Sequence, residues 1–177
     1  MAIFISFIKK IMMKRFLVFV CCLCISYGGF SQTKNTPEYI KNPVIPEFTV
    51  YTAPDSSVFT KQNLKENKPT LIMIFSPECG HCQNVTKELE EYMGHFKNTQ
   101  ILMVTWLPYT EMMAFYHNYK IAEYPQIVMG WDKKDFFLPY YHVQMYPGIV
   151  VYDKHGKYVT SFNGDVKMED VAKALGE

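Results

Sequence analysis

Arginine is missing from this 177-residue chain everywhere beyond Arg15, and no acid precedes Glu38. Residues 1–31 hold Lys9, Lys10, Lys14 and Arg15, which leaves 14 lysines against 17 acidic groups in the rest. The formal charge of +1 therefore conceals a body of net −3. Nucleic-acid and phosphate binders rely on a basic face and planar guanidinium forks, so both classes are excluded. Cysteine is also scarce. Cys21, Cys22 and Cys24 lie in an apolar N-terminal stretch, and only Cys79 and Cys82 remain beyond it. Two cysteines three positions apart close too short a loop to restrain the chain, so they are no disulfide framework. The apolar run Phe16–Tyr27 falls short of the roughly 20 residues that span a bilayer. There is no internal repeat. With 49% hydrophobic and 20% charged residues, collagen-like, low-complexity and disordered readings fail as well.

The first 31 residues have the order of a secretory signal: Lys14-Arg15, the apolar Phe16–Tyr27, then small Gly29 and Ser31 before Gln32. An uncleaved anchor is the alternative, because Ile3–Ile8 adds a second apolar patch, and Met13 is an alternative start. None of the three N-terminal cysteines follows the small-residue pattern of a lipoprotein signal. Residues 32–45, polar and carrying Pro37 and Pro43, read as an extended leader. The domain proper is expected over 46–177.

Within it, Phe48–Tyr51 and Val58-Phe59 flank a turn-rich Ala53–Ser57 and predict a β-hairpin. Leu71–Phe75 and Ile101–Trp106 are uninterrupted apolar runs, the mark of strands buried on both faces. Val85, Leu89, Tyr92, Met93 and Phe96 recur at helical spacing, and a second helix is expected from about Thr110 to Tyr119. Ile127–Met129 predicts a short strand. Gly148–Tyr152 and Tyr158–Phe162 bracket the turn signature Asp153–Lys157, and Val171, Ala172 and Leu175 close the chain as an amphipathic helix. Strands alternating with helices imply an α/β fold with a central mixed sheet.

The chemistry lies in Cys79-Gly80-His81-Cys82, between a buried strand and a helix. Only a thiolate attacks a disulfide. At a helix start, unpaired N–H groups and the positive end of the dipole favour that anion at Cys79. A charged His81 would favour it further. Cys82, one turn on, is placed to resolve a mixed disulfide formed at Cys79. A zinc site would need two more ligands, drawn from His95, His117, His142 or His155. A covalent haem site would need His, not Gln83, after Cys82. Redox chemistry is the stronger reading. Glu88, Glu90 and Glu91 read as a solvated helix face, Met112 and Met113 as core filler, and Trp106 and Trp131 as packing residues.

From Pro46 onward the chain resembles the thioredoxin superfamily, specifically its small secreted members of the TlpA/ResA type. The resemblance is carried by Pro46-Glu47-Phe48, Asn67-Lys68-Pro69, the Cys-Gly-His-Cys motif, Tyr141–Pro147, Asp153–Lys157 and Phe162-Asn163-Gly164. It implies a cis proline at Pro147, with Tyr146 beside it as a substrate contact. There are three departures. Met73 stands where the family commonly has a buried acid, Glu78 where an aromatic residue precedes the first cysteine, and Gly148 where threonine follows the proline. Together, motif and resemblance predict a thiol–disulfide oxidoreductase, periplasmic or secreted, acting on cysteines of exported proteins and reset by a redox partner. No cofactor or metal is implied for it. The alternative from a different class is a copper-binding module of the same fold, since thiolates suit Cu(I).

Overall fold

The computed structural model describes residues 36–176. The signal reading for residues 1–31 and the start of the leader lie outside them. In the described part the element order is α1 (Glu38–Lys41), β1 (Thr49–Thr52), β2 (Val58–Thr60), β3 (Thr70–Ile74), α2 (Gly80–Glu91) and β4 (Gln100–Thr105). There follow α3 (Tyr109–Asn118), β5 (Ile127–Trp131), α4 (Phe137–Tyr141), β6 (Gly148–Tyr152), β7 (Tyr158–Asn163) and α5 (Met168–Leu175). The strands form one sheet in the order β2-β1-β5-β4-β3-β6-β7. β3 runs parallel to β4 and β4 to β5, while β6 and β7 and the β1–β2 hairpin pair antiparallel. This is a thioredoxin-like α/β fold with a mixed sheet, as the sequence implies.

The period of two along the central strands explains how one sheet builds two cores. Leu71, Met73, Ile101, Met103, Ile149 and Val151 face one side, where α2, α3 and α5 cover them through residues such as Val85, Phe115 and Val171. Ile72, Ile74, Leu102, Val104, Val150 and Tyr152 face the other, under Phe48, Phe137 and Tyr141. With apolar residues pointing both ways, these strands are fully buried, so no alternation is visible in their sequence.

The leader departs from the extended reading. Pro37 caps a helical turn at Glu38–Lys41, with an acid first and a lysine last, as the helix dipole favours. Tyr39 packs on Tyr141 and Tyr158 at ring distances of 5.4 and 5.5 Å. Val44 bridges to Lys157, and Ile45 is buried. The acidic face of α2 is a second correction. Glu91 is exposed, but Glu88 accepts a hydrogen bond from the Met168 amide at 3.0 Å. Glu90 is half-buried with Oε1 unpartnered, and burial raises its pKa above the usual carboxylate value. Helical spacing alone could not show that α5 closes over this face.

Candidate redox site at the start of α2

Strand β3 ends at the centre of the sheet, and a tight turn carries the chain into α2. The Cys79 amide donates to the Ser76 carbonyl at 3.1 Å, and the Gln83 side-chain amide donates to the Pro77 carbonyl at 3.0 Å. Cys79 is the N-cap, in extended conformation, and no side chain caps the helix there. Its half-buried sulfur therefore sits at the positive end of a 12-residue helix.

Cys82 lies three residues on, inside the first turn, and is wholly excluded from solvent. Burial pushes its thiol from the ordinary 9.0 up to about 12, with the neighbouring Cys79 adding a smaller push. The Thr86 hydroxyl donates to the Cys82 carbonyl at 2.8 Å and ties down this turn. Both cysteines are free thiols. Met73, in place of an acid, is completely buried in the same apolar core as Cys82. Glu78 and His81 both face solvent, one on each side of Cys79 in the chain. Among the described residues, no cluster of three or more His, Cys, Asp or Glu side chains is arranged to hold a metal ion.

The loop before β6 supplies the opposite wall. The Tyr146–Pro147 bond is cis, and Pro147 is buried. The Cys79 thiol points at the Tyr146 carbonyl, at 3.9 Å. Gly148 has a local reason here. A Cβ at that position would lie 2.8 and 2.9 Å from the two methyl carbons of Val143, so threonine does not fit. Val143 fills the space a side chain would take.

Of Tyr140, Tyr141 and Tyr146, only Tyr146 is at the site. Tyr140 and Tyr141 belong to the opposite face, where the Tyr141 and Tyr152 hydroxyls share a buried hydrogen bond of 2.8 Å. The helix α4 that carries them was not legible, because Phe137-Leu138-Pro139-Tyr140-Tyr141 is short and contains a proline. Trp106, read as packing, lies against the Tyr146 ring, tilted by 33° with centroids 4.9 Å apart, while staying half-exposed. Its place just past the carboxyl end of a buried parallel strand is the signal that would have found it, since open α/β sheets bind ligands at that edge.

The thioredoxin-like domain family matches residues 59–177. A protein of Medicago sativa named "Probable protein disulfide-isomerase A6" is 26% identical over 84 residues, covering 45% of this chain. The chain spans about a quarter of that relative's length, 23% being matched. A secreted disulfide oxidoreductase of Mycobacterium tuberculosis has a similar structure, with TM-score 0.61 and 17% identity, over 73% of this chain and 94% of that one. StoA from Bacillus subtilis superposes with TM-score 0.57 and 13% identity, over 75% and 98% of the two chains. The exposed lipoprotein thioredoxin of Streptococcus pneumoniae gives 0.56 and 19%, over 73% and 100%. At these identities the structures speak for the fold alone.

Proposed function

The chain belongs to the thioredoxin-like domain family, and from that premise we propose that it is a thiol–disulfide oxidoreductase working on cysteines of exported proteins. The observation that carries this reading is the asymmetry of the pair. Cys79 is reachable at a helix N-terminus, and Cys82 is sealed one turn behind it with its thiol held protonated. In the reducing direction, the Cys79 thiolate attacks one sulfur of a client disulfide, and the other client sulfur leaves as a thiolate. Cys82 then gives up its proton to solvent and attacks the Cys79 sulfur. The Cys79–Cys82 disulfide forms, and the client sulfur bound to Cys79 leaves as a second thiolate. Two electrons pass to the client and the pair is oxidised. In the oxidising direction each step reverses. Either way a partner, a dithiol or a disulfide, must return the pair to its starting state.

His81 is assigned the tuning role, as an exposed imidazole on the first turn of α2 that in its charged form favours the thiolate. Tyr146 and Pro147 are assigned to client binding. The carbonyl of Tyr146 beside Cys79 suits an extended client segment that adds to it by main-chain hydrogen bonds. Residues 1–31 are assigned as the export signal, which places the domain outside the cytoplasm. No helix among the described residues is long and apolar enough to cross a membrane.

Trapping tests the roles. Cys82→Ser should accumulate mixed disulfides at Cys79, seen as adducts on non-reducing gels that reductant removes, while Cys79→Ser should form none. Adducts on the Cys79→Ser protein and none on Cys82→Ser would reverse the assignment.

A further inference from the structure

Next to Tyr146 the surface holds a depression of about 490 Å³, lined by Leu138, Pro139, Val143 and Tyr146 together with the polar Asp135, His142 and Gln144. It adjoins the nucleophile, because the carbonyl of that same Tyr146 faces the Cys79 sulfur at 3.9 Å. Leu138, Pro139, Val143 and the Tyr146 ring form the apolar part of a mixed lining. Trp106 does not line the depression, but its half-exposed ring packs against that of Tyr146, tilted by 33° with centroids 4.9 Å apart.

Asp135 supplies the one negative charge. It is exposed, has no ion-pair partner among the described residues, and sits in a left-handed backbone conformation with φ 51°. Its carboxylate is close enough to the Tyr146 phenol to help hold that group protonated, after burial. The two lysines preceding it in the chain turn elsewhere. Lys133 lies over the Trp131 ring at 5.7 Å, and Lys134 lines a separate hollow with Glu47 and Phe48. A carboxylate beside an aromatic pair and an apolar wall is a setting for a guanidinium. The planar cation stacks on rings and pairs with carboxylates, while its methylene stem covers apolar surface.

We propose that this depression is a specificity subsite taking an arginine, and lysine less well, that flanks the reactive cysteine of a client. Asp135 and the Trp106–Tyr146 pair are its specificity-determining groups. The inference rests on the redox reading of Cys79 and adds the client's chemistry to it. The chain's own body, net −3 and without arginine, offers no such residue to compete from a second copy except through lysine.

The test compares peptide disulfides that carry Arg, Leu or Glu one or two residues from the cysteine, with neutral 2-hydroxyethyl disulfide as the small substrate. For the dithiol form, kcat/KM should rank Arg above Leu above Glu, with about fivefold between the extremes at low salt, the scale of one exposed ion pair. The spread should shrink at high ionic strength, as an exposed charge requires. Asp135→Asn, which tolerates the left-handed backbone, should remove most of the preference for Arg over Glu. Trp106→Leu should lower Arg relative to Leu, and the remote Glu169→Gln should leave every ratio as it was. Equal rates for the three peptides, or a ratio untouched by Asp135→Asn, would overturn the subsite. Failure of the wild type to reduce even 2-hydroxyethyl disulfide would instead overturn the redox reading, so the two failures are distinguishable.

Discussion

Resolution by Cys82 should be slow at neutral pH and should accelerate steadily as the pH rises. Burial lifts this thiol from 9.0 to about 12. At pH 7 about one molecule in 100,000 then carries the Cys82 thiolate, against about one in 100 for the unshifted thiol. A more basic thiolate is also the better nucleophile, and a Brønsted coefficient of about 0.4–0.5 returns between one and one and a half of the three lost decades. The net penalty is roughly 50-fold. In the mixed disulfide the push from the Cys79 sulfur is gone, but burial, the largest cause, remains. Met73 offers no carboxylate to collect the proton. The assay is single-turnover decay of a fluorescent peptide disulfide-linked to Cys79, followed from pH 6 to 10. The logarithm of the rate should climb about one unit per pH unit throughout. A plateau below pH 9 would show that a nearby base takes the proton and would refute the reasoning.

The same shift links to stability. A thiol raised in the folded state contributes stability that is complete below its unfolded value near 9 and is lost as the pH rises through about 12. Three units correspond to about 4 kcal/mol at most. Denaturation of the reduced wild type against Cys82→Ala from pH 8 upward isolates this contribution from the buried tyrosines Tyr141 and Tyr152, which titrate in both proteins.

Three further outcomes are expected. Gly148→Thr should destabilise the domain by about 1–3 kcal/mol, because the new Cβ meets Val143, and Val143→Ala in the same chain should recover part of the loss, both read by denaturant titration. Tyr141→Phe should cost about 1–2 kcal/mol by leaving the Tyr152 hydroxyl buried and unpaired, whereas the double change with Tyr152→Phe should fall nearer the wild type. His81→Pro should move the Cys79–Cys82 potential to a more negative value against glutathione, about 30 mV for each tenfold change in the exchange equilibrium. An unchanged potential would remove His81 from the tuning role.

What the sequence made legible follows from how local each feature is. The strand–Cys-Gly-His-Cys–helix order is contiguous, and so the helix N-terminus, the exposed first thiol and the hidden second could all be read from spacing. The paired apolar runs at 71–75 and 101–106 likewise announced the buried centre of the sheet. Where a feature depends on an element distant in the chain, the residues gave no sign of it. Glu88 looks like a solvated acid until the amide of Met168, 80 residues away, arrives as its partner. The leader looks extended until Tyr39 finds Tyr141 and Tyr158.

The site itself is split along this line. The proposed nucleophile is encoded within four residues, but the proposed client-facing wall draws on three separate stretches: Trp106 after β4, Asp135 after β5 and Tyr146 before β6. Motif spacing therefore speaks to the reaction and is silent on selectivity. The replacement of an aromatic residue by Glu78 makes the point concrete. Read along the chain it is the loss of an apolar contact before Cys79, yet in the fold Trp106 packs on the ring of Tyr146, the residue whose carbonyl faces the Cys79 sulfur. Selectivity in this domain should accordingly change with substitutions at 106, 135 and 146, while the direction and poise of the exchange should follow residues 78–82.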